Sequence, residues 1–187
     1  ERYSGLLLRF FRNKVRDSED GSELVSETML ACVGAIPRVE NRKQFRPFMF
    51  GVAMNVLRKY LRRKYKRQRE IEDFDEVCVG EGDGGSPSGM LVRQAETRLL
   101  VRALRRIPLK FQIVLELQFF EEMTGPQISE LLSVPLSTVY TNQSRGKERL
   151  NAKIKELSDD PALTQSTMMG IQTWAEDVRA QIPKGKS

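Results

Sequence analysis

The chain contains no histidine, only two cysteines and a single tryptophan among its 187 residues. Without histidine there can be no Ser-His-Asp triad, no imidazole acid–base chemistry and no common zinc-finger ligand set. Cys32 and Cys78 do not form a metal-ligand spacing. Cys32 falls on an apolar helical stripe and is expected in the core, while Cys78 is expected to be an inert thiol in a linker, a redox role being the weaker alternative. No apolar run approaches the roughly 18 residues a transmembrane helix needs, and nothing resembles a signal peptide, so a cytoplasmic location without membrane insertion is expected. The hydrophobic share of 40% against 30% charged residues suits compact helical bundles, too small for a large core. No cofactor or metal is expected.

Charge is abundant and unevenly placed. Residues 1–69 carry a net +10, residues 70–90 a net −7 with no basic group, and residues 91–157 a net +4. Two basic blocks separated by an acidic strip suggest two modules that touch a polyanion, joined by a segment that should not.

Apolar residues recur at helical spacing through Leu7, Phe10 and Phe11, then Leu24, Thr28, Cys32 and Ala35, and then Phe48, Val52, Val56 and Leu57, which makes the first block helical. Pro37 and the polar run Glu40 to Lys43 predict an exposed loop between the second and third stretches. From Glu70 to Met90 the periodicity disappears and Gly80, Gly82, Gly84, Gly85, Gly89 and Pro87 accumulate, as expected of a flexible acidic linker. Gly80, Gly82 and Gly85 spell the dinucleotide pattern G-x-G-x-x-G. Glu81 and Asp83 would repel a phosphate there and Pro87 interrupts the helix such a site needs, so nucleotide binding is not expected.

Periodicity resumes at Leu91 and runs through Leu99, Leu100, Leu104 and Ile107. A further helix carries Phe111, Val114, Leu115, Leu117 and Phe119. Gly125 and Pro126 then start a short helix with Ile128, Leu131 and Leu132, and Ser133-Val134-Pro135 turns into a longer one from Val139 to Leu150. This is helix-turn-helix spacing: Ile128, Leu132, Val134 and Val139 should pack inward and leave the outer face of the second helix free for a major groove. Beyond Asp159, Ile171, Trp174, Val178 and Ile182 form a stripe that predicts one more amphipathic helix. Packing on its own domain is the plain reading of that extension, and a regulatory cover over a DNA or polymerase surface the sharper one.

Arg58 to Arg69 holds eight cations in twelve positions, and at about 100° per residue most fall on one half of a helix, with Leu57 and Leu61 on the other. Like charges at this spacing destabilise an isolated helix, so the ridge makes most sense beside a polyanion. Upstream, Phe45, Phe48, Phe50 and Tyr60 interleave with Arg42, Lys43 and Arg46, a mixture suited to stacking unpaired bases, although a helical core would use the same aromatics. The loop with Arg38, Asn41 and Arg42 is the better candidate for reading a flipped base.

The order Ser22-Glu-Leu-Val-Ser-Glu-Thr-Met-Leu-Ala31, Phe45-Arg-Pro-Phe-Met-Phe-Gly-Val-Ala-Met-Asn-Val-Leu57 and the basic ridge resembles region 2 of a bacterial extracytoplasmic-function (ECF) sigma factor of the sigma-70 family. Ala103-Leu-Arg-Arg-Ile-Pro108, Glu116-Leu-Gln-Phe-Phe-Glu121 and the helix-turn-helix ending Ser144-Arg-Gly-Lys-Glu-Arg-Leu150 resemble region 4. Together they cover about residues 3–157. The resemblance implies an all-α fold of two small helical domains, a region 2-like bundle at 1–69 and a region 4-like helix-turn-helix domain at 91–157, joined by the flexible acidic linker at 70–90; the C-terminal helical extension expected at 158–187 lies outside the resemblance.

It further implies a transcription initiation factor, not an enzyme, whose partners are core RNA polymerase and promoter DNA. Glu23, Ser26, Glu27 and Thr28 would dock on the polymerase clamp. Arg38, Asn41, Phe45, Arg46, Asn55, Arg58, Arg62 and Arg63 would capture the single-stranded minus-ten element. Tyr140, Thr141, Ser144 and Arg145 would face bases of the double-stranded minus-thirty-five element, with Thr138, Asn142 and Lys147 near phosphates. The acidic linker matches the family segment that threads toward the polymerase cleft, and control by an anti-sigma factor is suggested although no residue identifies one. Phe48 stands where a Trp is common, Ser26 where a Gln is common and Ser133 where a turn Gly is common. Tyr140 and Asn142 replace frequent Lys or Arg, so groove reading should lean less on guanidinium-to-guanine pairs.

Two other classes compete. An enzyme would lack a phosphate loop or a carboxylate cluster outside the linker with which to activate water. A stand-alone helix-turn-helix regulator would dimerise and bind a palindrome unaided, whereas a sigma factor binds two unequal elements tightly only with core polymerase.

Overall fold

The structure, a computed structural model, describes residues 2–15, 17–35, 42–65 and 91–170. These form eight helices and no strand. The first group is α1 (Arg2–Arg12), α2 (Ser18–Ala35) and α3 (Arg42–Tyr65). The second is α4 (Leu91–Leu104), α5 (Leu109–Phe119), α6 (Gly125–Leu132), α7 (Leu136–Leu157) and α8 (Pro161–Met169). The expected all-α class is what the chain adopts. The loop around Pro37, the acidic linker with Cys78 and its glycines, and the stripe from Ile171 to Ile182 lie outside the described residues.

In the N-terminal group the 3.6-residue period does the folding. Leu7, Phe10, Phe11, Leu24, Cys32, Met49, Phe50, Ala53 and Leu57 are buried together, and Phe10 meets Phe11 and Phe50 edge-on at 5.4 Å. Each Leu, Phe or Met among them contributes about 1.5–3 kcal/mol by leaving water, and truncating Leu57 to Ala would cost about 2–5 kcal/mol. Burial also pushes the Cys32 thiol above its ordinary pKa, which leaves it an inert core residue. Pro47 sits inside α3, where it has no N–H to give to the carbonyl four residues back.

The helix-turn-helix forms where the spacing predicts. Thr124 precedes α6 as its N-cap, and its backbone N–H donates to the Gln127 side-chain oxygen at 2.8 Å, one half of a capping box. Pro126 lies in the first turn, where its missing N–H costs nothing. Ser133 ends α6 in the left-handed conformation, φ 57°, ψ 45°, the backbone a turn glycine would adopt without strain. Ile128 and Val139 are fully buried, with Leu132 and Val134 half-buried against them. At Gly146, α7 approaches α5 so closely that an added Cβ would lie 3.2 Å from the Phe111 Cβ.

After α7, Asp160 caps α8 by accepting from the amides of Ala162 and Leu163 at 2.9 and 3.2 Å. α8 packs on α4 and α7, putting Leu163 and Met168 against the core around Leu99, Leu100, Leu104 and Ile107. Through residue 169 the extension packs on its own domain; the stripe from Ile171 to Ile182, on which the sequence expectation rests, lies outside the described residues.

The two groups are not separate bodies. One continuous apolar cluster joins Leu7, Phe11 and Leu57 to Leu109, Ile113, Leu117, Ile128 and Val139, and α3 packs directly on α6.

Candidate nucleic-acid interface

α3 is the scaffold of the first surface. Leu57 and Leu61 point into the core, so Asn55, Arg58, Lys59, Arg62 and Arg63 line one shallow cationic concavity on the other side. Arg62 and Arg63 are exposed. Arg58 is half-buried, with its guanidinium 3.4 Å from the Leu132 carbonyl oxygen of α6. Arg46, nearer the start of α3, donates to Glu121 through Nε at 3.0 Å and a terminal nitrogen at 2.6 Å. Phe45 is half-buried and packs edge-on against Tyr3 at 4.9 Å. Of the residues expected at the minus-ten element, Phe45, Arg46, Asn55, Arg58, Arg62 and Arg63 thus share one helix, while Arg38 and Asn41 lie outside the described residues.

A hydrogen-bonded triad ties α2 to α3 beneath this surface. Tyr60 donates to Asp20, and Lys64 donates to Asp20 at 2.7 Å and to the Tyr60 oxygen. The bonds from Lys64 and then Tyr60 hold the Asp20 carboxyl below its ordinary pKa. Burial, reinforced by Asp20, pushes Tyr60 up to about 12, and the bond to Asp20 raises Lys64. Glu27 adds ion pairs to Lys59 at 3.0 Å and Arg63 at 3.9 Å.

The face expected to meet polymerase needs one correction. Glu23 and Ser26 are exposed and Glu27 is half-exposed, but Thr28 is fully buried and its hydroxyl donates back to the Leu24 carbonyl at 2.7 Å. It belongs to the apolar stripe with Leu24 and Cys32 and offers no surface to a partner. Sequence reasoning missed Leu30 and Val33, which are 76% and 61% exposed. At about 100° per residue they fall within a third of a turn of Glu23 and Ser26. Their offset from the buried stripe was the available signal.

The second surface is the outer side of α7. Tyr140, Thr141, Ser144, Arg145 and Lys147 are exposed, and Thr138 and Asn142 half-exposed. All seven expected residues are brought onto this helix. Thr141 spends its hydroxyl on the Ser137 carbonyl at 2.9 Å, and Lys147 lies 5.3 Å from the Phe119 ring centre. Buried Val139, Gln143, Gly146 and Leu150 hold the opposite side of α7 to the domain, which fixes the orientation of the exposed side.

Among the described residues no group of three or more Cys, Asp or Glu could hold a metal, and no helix is long and apolar enough to cross a membrane.

Comparison with known proteins places both surfaces in one family. Residues 1–67 match Sigma-70 region 2 and residues 97–150 match Sigma-70, region 4. The chain is 22% identical to the ECF RNA polymerase sigma factor SigW of Bacillus subtilis, over 76% of this chain and 78% of that protein. It is 22% identical to the ECF RNA polymerase sigma-E factor of Haemophilus influenzae, over 82% of each, and 20% identical to the RNA polymerase sigma factor HrpL of Pseudomonas syringae, over 80% and 81%. With both regions present in order and relatives of this one kind spanning them, the chain belongs to the extracytoplasmic-function group of the sigma-70 family.

Proposed function

We propose that this chain is a transcription initiation factor that binds core RNA polymerase and directs it to promoters through two unequal DNA elements. It has no catalytic role of its own in this reading. Glu23, Ser26 and Glu27, with the exposed apolar pair Leu30 and Val33, form the polymerase-facing side of α2. The cationic face of α3, with Arg46, Asn55, Arg58, Arg62 and Arg63 and the preceding Arg38 and Asn41, takes the single strand of the minus-ten element, Phe45 standing at its edge. α7 enters the major groove of the minus-thirty-five element with Tyr140, Thr141, Ser144 and Arg145 toward bases and Thr138, Asn142 and Lys147 toward phosphates. An anti-sigma factor is a further partner that family membership suggests.

The observation that carries this reading is the outer face of α7, held by buried Ile128 and Val139 and exposed at Tyr140, Ser144 and Arg145. Such a geometry presents side chains to base edges. Footprinting with and without core polymerase tests it: two unequal protected elements should appear only with polymerase. A symmetric footprint from the free protein would instead identify a stand-alone regulator.

A further inference from the structure

The outer side of α7 changes character along its length. Its first nine residues, Leu136 to Ser144, carry no charge, and Arg145, Lys147 and Arg149 then follow, all exposed. Near its start two large side chains stay in water: Leu136 is 37% and Tyr140 53% exposed. Four residues apart, they stand about 40° from each other around the helix and about 6 Å along it, so they form one apolar strip. The strip is held in place from both sides. The Tyr140 ring rests against Gly125 at the start of α6, where a Cβ would meet it within 2.9 Å, and Val139, fully buried, anchors the turn between the two side chains. Thr141, next along the exposed side, gives its hydroxyl hydrogen to the Ser137 carbonyl at 2.9 Å, which leaves it no hydrogen to donate to a base.

We propose that Leu136 and Tyr140 are thymine readers: the strip they form covers the 5-methyl groups of one or two thymines in the major groove of the upstream element. The inference rests on the function proposed above and names what the leading part of α7 recognises there. A helix-turn-helix carries its base contacts on the first residues of its second helix, and here those residues present hydrocarbon. On the major-groove edge every ring nitrogen, carbonyl oxygen and amino group calls for a hydrogen-bond partner, and the thymine methyl is the apolar exception. A leucine laid over any other base edge strips water from a polar group and returns no bond. Laid over a thymine methyl, it takes apolar surface out of water on both partners. The Tyr140 ring acts in the same way, and because Gly125 already sets its direction it has little freedom left to lose on binding. The separation of about 6 Å covers no more than two steps of the base stack at about 3.4 Å each, so the two methyl groups belong to neighbouring pairs. Arg145 and Lys147, farther along α7, keep the polar roles already given to them.

The test uses the full-length protein and defined duplexes. Upstream elements are selected from a random duplex library, once with core polymerase and once with the free protein. Each enriched thymine is then replaced by deoxyuridine, which pairs with adenine in the same way but lacks the methyl. At the one or two positions under the strip a replacement should weaken binding about fourfold, and two together about fifteenfold. Leu136→Ala/Tyr140→Ala should bind the thymine and deoxyuridine duplexes equally. Lys147→Ala should weaken both and keep the fourfold ratio, because a phosphate contact is indifferent to the methyl. If the double variant has lost its melting transition, the deoxyuridine series on the parent and on Lys147→Ala decides. An enriched element without thymine, a series with no loss at any position, or an undiminished loss in a folded double variant overturns the proposal. Methyl dependence found with the free protein alone keeps it and sinks the proposed function, whereas a polymerase-dependent duplex indifferent to deoxyuridine sinks it and keeps that function. No enriched duplex in either selection sinks both.

Discussion

The ring of Tyr140 lies over the Cα of Gly125, so close that a Cβ at position 125 would come within 2.9 Å of the ring edge. The first helix of the helix-turn-helix thereby sets the direction of a side chain on the second. Tyr140 is still 53% exposed, so a methyl group at 125 can be relieved by swinging the ring outward. Gly125→Ala should leave the melting temperature nearly unchanged, since Ala is a better helix former. It should lower affinity for the upstream element by about 1 kcal/mol, roughly fivefold, through a misplaced ring. Selection from a library of upstream sequences should show altered preference at one or two adjacent positions. An unaltered preference with Ala at 125 would mean Tyr140 does not read bases.

Ser133 carries the opposite kind of strain. A non-glycine residue at φ 57° costs about 1–2 kcal/mol, more than the roughly 0.5–1 kcal/mol of extra chain entropy that glycine loses on folding. Ser133→Gly should therefore stabilise the protein by about 0.5–1 kcal/mol, raising the midpoint of thermal unfolding by about 2 °C with upstream binding intact. A lower midpoint would show that the Ser133 side chain makes a contact worth more than the strain.

The elements built on periodicity were legible in the sequence. Leu7, Phe10 and Phe11 and the hinge residues Ile128 and Val139 are buried because a 3.6-residue pattern has only one way to face a core. Thr28 shows two kinds of inference colliding: its spacing placed it on the stripe with Leu24 and Cys32, while resemblance placed it at the polymerase surface, and its burial sides with the spacing. The start of α8 was legible as Asp160 followed by Pro161, an N-cap and first-turn pair, yet the stripe farther along is the stronger signal and masks it. The bond of Lys14 to Glu116 spans 102 residues. No local pattern reports such a pairing, because a lysine at a helix end ordinarily sits in water.

Asp20, Tyr60 and Lys64 make the packing of α2 on α3 sensitive to pH. The Asp20 carboxyl is depressed in the folded protein, so its contribution is complete above its ordinary value of 3.8 and lost as pH falls through the lower folded value. Tyr60 is raised, so its share is complete below 10.0 and lost as pH rises through about 12. Asp20→Asn should cost about 1 kcal/mol at pH 7, modest because the group is partly exposed. The gap between variant and parent in urea unfolding at pH 7 should shrink toward zero at an acid pH below the folded value of Asp20. A gap of equal size at both pH values would assign the effect to packing, not to the carboxylate charge.

Arg62 and Arg63 test the cationic face of α3. They project from α3 on the side away from buried Leu61, and Arg63 is 61% exposed with Glu27 3.9 Å away, too distant and too wet to hold it strongly. In the proposed function they neutralise phosphates, a role indifferent to base sequence and sensitive to salt. Arg62→Ala/Arg63→Ala, assayed with core polymerase, should weaken binding to every promoter by a similar factor. It should also flatten the plot of log affinity against log salt by about 0.7 for each single-strand phosphate left without its arginine. Arg145→Ala should instead change preference within the upstream element and leave the downstream one alone. A double arginine variant with an unchanged salt slope and unequal effects across promoters would move these side chains from phosphate binding to base reading.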